Sequence, residues 1–181
     1  TLAIDHINKG KILSMISDAG TPLLSDPGRL LVNECLKKKI NVIPIPGVSS
    51  ITAAMAASGF KDKFLFYGFL PKTENELDKV LSNLSNYEYT QIYFISALKV
   101  NFYLKKIKKY FSNRKIMIGK EITKIHEEFI RGDIENLKLF SNPLKGELTL
   151  VISNSSIKKI QLNKDKIINK AKKYLKKYSL K

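Results

Sequence analysis

The sequence has no tryptophan, one cysteine, two histidines, and half as many acidic side chains as basic ones, 16 against 32. The lone Cys35 excludes a disulfide framework. It falls within the apolar pattern of an expected helix, where a thiol is buried as a small hydrophobe. His6 and His126 stand far apart with no H-x-x-x-H or C-x-x-C spacing around them, so nothing points to a metal centre. No apolar run approaches the roughly 18 residues that a membrane span needs, and no leader pattern opens the sequence. A cytoplasmic protein without a membrane partner is therefore expected. Neither a G-x-S-x-G elbow nor a P-loop lysine motif occurs.

What the sequence does have is 181 residues of 44% apolar composition, enough for one or two modest cores, and a formal net charge of +16. Such an excess points to a polyanionic partner, nucleic acid before an anionic membrane surface, although a lysine-rich coding bias gives the same number. The stretch around which the rest is organised is residues 17–28, S-D-A-G-T-P-L-L-S-D-P-G. Apolar β-like sequence leads into it (Ile12, Leu13, Met15, Ile16), and its glycines, prolines and aspartates make a loop that leaves backbone groups exposed. Asp26 as N-cap and Pro27 as first helical residue are expected to open a helix. A ligand loop at the carboxyl end of a strand and a tight connection without a ligand both fit the local pattern.

Taken in order, residues 1–11 hold too few apolar positions to define an element. Strands are expected over 12–17 and 41–45. A helix carries Leu30, Leu31, Val32, Cys35 and Leu36 and ends in Lys37, Lys38 and Lys39. Ser49 and Ser50 follow Pro46-Gly47 and cap a second, alanine-rich helix over 51–58, closed by Gly59. Strand, helix, strand, helix is the order of a parallel sheet with helical crossovers. An aromatic strand over 64–70 ends this unit at Pro71-Lys72. Beyond it, Thr73 and Glu76 form a capping box ahead of a helix with Leu77, Val80, Leu81 and Leu84. Strands over 91–95, 115–118 and 147–153, a basic amphipathic helix over 98–111, an alternating segment over 120–131 and a short helix over 134–140 make a mixed α+β unit. The organisation is thus 1–70, 71–156 and a basic helical tail, 157–181, with ten lysines against one aspartate. The tail is either a phosphate-binding or docking helix or an ordinary solvated one.

The densest polar constellation is Lys120, Glu121, Thr123, Lys124, His126, Glu127 and Glu128, seven ionisable or hydroxyl side chains in nine positions. It reads as a reactive edge or as charges that protect an exposed strand.

These residues carry a resemblance. The run 17–28, then Pro44-Ile45-Pro46-Gly47-Val48-Ser49-Ser50 with Ala53 and Ser58-Gly59, then Phe64-Leu65-Phe66-Tyr67-Gly68-Phe69-Leu70-Pro71, resemble the small-subunit ribosomal RNA methyltransferase I family. That family is similar in fold to the tetrapyrrole methylases. Glu121-Ile122-Thr123-Lys124 with His126-Glu127-Glu128 and Arg131-Gly132, and then Lys145-Gly146-Glu147, match its later segments. The resemblance implies an α/β, tetrapyrrole methylase-like two-domain fold, with a partial N-terminal parallel sheet and a mixed α+β C-terminal unit. It also implies a homodimer and methyl transfer from S-adenosylmethionine to a cytidine ribose 2′-oxygen of 16S rRNA in the small ribosomal subunit. On this basis Ser17, Asp18, Ala19, Gly20, Thr21, Pro46, Gly47, Val48 and Ser49 would hold the cofactor. Glu121 and Lys124 would stand at the reacting ribose, and Lys99, Lys105, Lys106, Lys109 and Arg131 would grip RNA phosphates.

Three family features differ. The family's T-P-I-G-N-L loop and E-D-T-R segment do not occur here, and its Y-E-S-P-H-R run is replaced by Phe94-Ile95-Ser96-Ala97-Leu98-Lys99. Weak cofactor affinity with retained RNA affinity is the expectation that follows. The alternatives are a tetrapyrrole methylase acting on a polyanionic macrocycle and a non-catalytic RNA-binding relic.

Overall fold

Strands β1 (Phe64–Phe69), β2 (Thr90–Ser96), β3 (Lys115–Lys120), β4 (Glu128–Asp133) and β5 (Glu147–Ile152) form one sheet in the order β1-β2-β5-β3-β4. The computed structural model describes residues 2–155 and, beyond them, residues 168, 171, 172, 174 and 175. The expected basic tail lies mostly outside the described residues. Only β1 and β2 run parallel, joined by helix α4 (Glu74–Leu84); the β2–β5, β5–β3 and β3–β4 pairs are antiparallel.

The central strands read as continuous apolar runs because both faces of the sheet are covered. On one face α4 and α5 (Val100–Phe111) bring Leu77, Leu81, Leu84, Tyr103, Leu104, Ile107 and Phe111 onto Tyr93, Ile95, Ile116, Ile118, Leu150 and Ile152. These positions recur at three- and four-residue spacing on the helices and at every second residue on the strands, so each element buries a single stripe or face. On the other face Ile51 and Ala54 of α3 (Ser50–Ser58) pack on Ile92, Met117 and Val151, flanked by Phe66, Phe94, Ile122 and Phe129. The result is a helix, sheet, helix-pair sandwich whose smaller core lies under α3.

Several local expectations are corrected. Residues 12–17 and 41–45 run without any sheet ladder, and Ile12 and Ile16 are 97% and 90% exposed. Their composition suits a strand, but a strand exists only where a neighbour supplies hydrogen bonds, and none lies alongside. Residues 2–8, which carry too little pattern to define an element, form helix α1 (Leu2–Asn8), with Ile4 buried. Helix α2 (Arg29–Lys37) starts two residues later than Asp26 capping implies, because Gly28 at φ 124° breaks the backbone before it. Residues 134–140 hold turns and loop in place of a helix. Phe64–Phe69 is hydrogen-bonded into the common sheet next to β2.

Candidate functional site

A cleft of about 1480 Å³ opens between the loops that precede α2 and α3, the ends of β1, β2 and β5, and the turn that follows β3. It is larger than the ~300–1,000 Å³ of a typical small-ligand pocket. Asp18, Ala19, Gly20 and Thr21 line it from one loop, and Gly47, Val48 and Ser49 from the other. The loops meet where a side chain on Gly20, at φ 71°, would lie 3.9 Å from the Val48 carbonyl. Ser17 turns inward, its hydroxyl donating to the Ala19 and Gly20 carbonyls (3.3 and 3.2 Å), and Pro46 stands outside the lining. Among the described residues no backbone hydrogen bond engages the N–H groups of Asp18, Ala19, Gly20, Gly47 or Val48. All five residues are exposed and line the cleft, so these donors are open to a bound ligand. Ala53 and Ala56 of α3 keep that side open.

The opposite wall is the turn between β3 and β4. Glu121 and Thr123 both have left-handed backbone, φ 49° and 70°, which is uncommon for non-glycine residues and costly for β-branched threonine. The turn is held by Lys124 N–H to the Glu121 carbonyl (2.9 Å) and by Thr123 N–H to the Glu127 carboxylate (2.7 Å). Lys124 lines the cleft; Glu121 lies one layer behind it, beneath Gly146. Its Oε1 accepts from the Glu147 N–H (2.8 Å) and from Lys124 Nζ (3.2 Å), which also reaches Glu147 Oε2 (3.2 Å). The Glu147 N–H, and then the Lys124 ammonium, hold the Glu121 carboxyl below the usual carboxylate range. Glu147 and then Glu121 raise the Lys124 pKa. Both bonds to Glu121 end on one oxygen, so Oε2 keeps its acceptor sites.

The basic side chains expected to grip RNA are dispersed. Lys99 lines a separate hollow of about 460 Å³ with Phe102 and Pro143. Lys105 is exposed on α5. Lys106, 17% exposed, is paired with Glu74 and Asp78, and Lys109 reaches Asp78 at 3.5 Å. Lys106 is thus ion-paired between α4 and α5. Arg131 donates to the Ala57 carbonyl (2.8 Å), tying β4 to the end of α3. Lys72 and Lys145, which composition does not single out, lie on the cleft instead. Among the described residues no group of three or more His, Cys, Asp or Glu is placed to hold a metal, and no helix is long and apolar enough to cross a membrane.

A sequence model of the family described as Tetrapyrrole (Corrin/Porphyrin) Methylases matches residues 1–138. The ribosomal RNA small subunit methyltransferase I of Rickettsia prowazekii is 43% identical over 169 residues, covering 91% of this chain and 60% of that protein. The protein of the same name from Borrelia garinii subsp. bavariensis is 38% identical over 160 residues, covering 86% of this chain and 71% of that one. Among solved structures, the methyltransferase CobJ superposes with a TM-score of 0.64 at 14% identity, over 88% of this chain and 71% of that chain; the likeness is one of fold. The chain spans about 60% of the length of the Rickettsia relative.

Proposed function

Because the chain belongs to the tetrapyrrole methylase family, and within it to the ribosomal RNA small subunit methyltransferase I group, we propose that it acts in S-adenosylmethionine-dependent methylation of a cytidine ribose 2′-oxygen in 16S rRNA. The observation that carries the reading is the convergence of both glycine-bearing loops and the Lys124 turn on one cleft. The residues suit the cofactor: unpaired backbone donors on Asp18–Gly20 and Gly47–Val48 face a cleft wall kept open by Ala53 and Ala56.

When bound, S-adenosylmethionine supplies a sulfonium methyl, an electrophile that needs no further activation. The work left to the protein is alignment and exclusion of water. The two loops orient the donor through their backbone N–H groups. Lys124, drawn to Glu147 and Glu121, presents its ammonium to the ribose-phosphate side. Glu121 stays ionised at neutral pH and is a weak base because its Oε1 is committed. Its contribution is to fix Lys124 from behind the cleft wall. Lys72, Lys145, Lys99 and Lys105 hold the RNA backbone. A homodimer belongs to the same reading, with Ile12, Ile16, Ile43 and Ile45 offering an exposed apolar surface.

The test is incubation of the chain with saturating methyl-labelled S-adenosylmethionine and unmodified small ribosomal subunits. Label recovered in an alkali-resistant dinucleotide is the expected result, since a 2′-O-methyl group blocks cleavage of the adjacent phosphodiester. Label on a base, or transfer to a tetrapyrrole but not to rRNA, overturns the assignment.

A further inference from the structure

The Phe69 ring is 60% exposed and lines the cleft, yet strict alternation along β1 would turn it to the other face. The register explains the difference. Phe66 pairs with Ile92 and Gly68 with Tyr93, so Tyr67 is an extra residue in β1, and Gly68 has φ 92°. This bulge resets the alternation and places Phe69 beside Phe94, on the α3 face, while Leu70 enters the larger core. A bulge that re-aims one side chain at the edge of a site is a built feature, and its cost has to be offset by what the side chain does.

The re-aimed ring is also held. Phe94 packs against it at 5.3 Å and 59° between planes, and Phe66 steadies Phe94 at 5.0 Å and 67°. One side of Phe69 is thus supported and the rest of the ring faces the cleft. Lys72 and Lys145 flank the same cleft, and among the described residues neither forms an ion pair. A rigid, half-open aromatic ring with free ammonium groups nearby is the arrangement that binds a single-stranded nucleotide, with the base on the ring and the phosphates on the cations.

We propose that Phe69 is a stacking platform for a base of single-stranded RNA entering the cleft, with Lys72 and Lys145 holding the flanking phosphates. The proposal rests on the RNA-methylation reading above and adds the residue that positions the base.

The probe is a short single-stranded RNA with one pyrrolo-cytidine, whose emission is quenched on stacking, titrated into the chain at low salt. Phe69→Ala is expected to weaken binding roughly 5- to 150-fold, the range for loss of one stacked base, and to abolish the quench. Phe69→Trp should restore both, and Phe69→Leu, apolar but not aromatic, should restore neither. The melting temperature should be little changed in all three, because the side chain is largely exposed. Salt-sensitive binding that ignores Phe69, or a quench that Phe69→Leu retains, overturns the stacking role while leaving the RNA reading intact. No binding of the RNA at low salt overturns both. A loss of S-adenosylmethionine binding with unaltered RNA binding assigns the ring to the cofactor's adenine and likewise overturns the proposal.

Discussion

At Gly146 a side chain has no room: an added Cβ would stand 2.4 Å from the Glu121 carboxyl carbon, and the backbone has φ 89°. The glycine lets the Glu147 N–H reach the Glu121 carboxylate from the start of β5. Gly146→Ala is expected to cost about 1–2 kcal/mol from the left-handed backbone alone and to push the carboxylate off the Glu147 N–H; urea unfolding with unchanged slope measures the first. A variant as stable as the parent means that the turn relaxes freely and the clasp is not rigid. Glu121→Ala should reduce methyl transfer to rRNA far more than cofactor binding, because Glu121 positions Lys124 and touches no cofactor loop. Glu121→Gln keeps an acceptor for the Glu147 N–H and should fall between the two. Equal loss of transfer and binding in the alanine variant would remove Glu121 from the RNA side of the cleft. The loops are legible in sequence because glycine and proline density marks exposed backbone. Phe69 is not, because its direction depends on a bulge that appears only once the partner strand's register is known.

Helices α4 and α5 are legible almost to the residue, since Leu77, Leu81 and Leu84 and then Tyr103, Leu104, Ile107 and Phe111 repeat at helical spacing. The expected capping box is present in altered form, with the Thr73 hydroxyl donating to Glu76 Oε2 at 2.6 Å and not accepting from the backbone. Residues 12–17 and 41–45 mislead for the opposite reason: β-propensity is a local property and a ladder is not. Charge pairing between elements is also invisible in sequence. The Asp78 carboxylate accepts from Lys106, from Tyr110 (2.8 Å) and weakly from Lys109, and these bonds bring its pKa down to about 2. A depressed carboxyl pKa contributes stability that is present above the ordinary value near 4 and is lost as pH falls through 2. The α4–α5 clasp is therefore expected to hold down to about pH 4 and to weaken between there and pH 2. Asp78→Asn should lower the melting temperature at neutral pH and flatten its fall over that interval. An identical acid profile for both proteins would show that the pair adds nothing measurable.

For the molecule as a whole, the question is whether the net charge of +16 acts as a diffuse field or through a defined grip. Several lysines are already engaged within the fold: Lys37 and Lys38 with Glu34, Lys106 and Lys109 with Asp78, Lys120 with Glu128, and Lys124 with Glu121 and Glu147. Lys72 and Lys145 on the cleft, Lys99 just before α5 and Lys105 in the middle of α5 have no ion pair among the described residues. The two cases differ in salt dependence. Neutralising about four phosphates of a single strand gives a log–log slope near −3, so affinity falls about 50-fold between 50 and 200 mM salt. Engaging all the excess charge would give a slope near −11 and a fall beyond any useful affinity. A slope near −3 is expected for a short single-stranded RNA. The double substitution Lys72→Gln, Lys145→Gln should reduce it to about −1.5, because two of the four phosphates are then no longer neutralised, without changing the melting temperature. A slope steeper than about −5, or one that the double substitution leaves unchanged, would place the grip on lysines outside the cleft and separate the basic charge of the chain from the site where its loops converge.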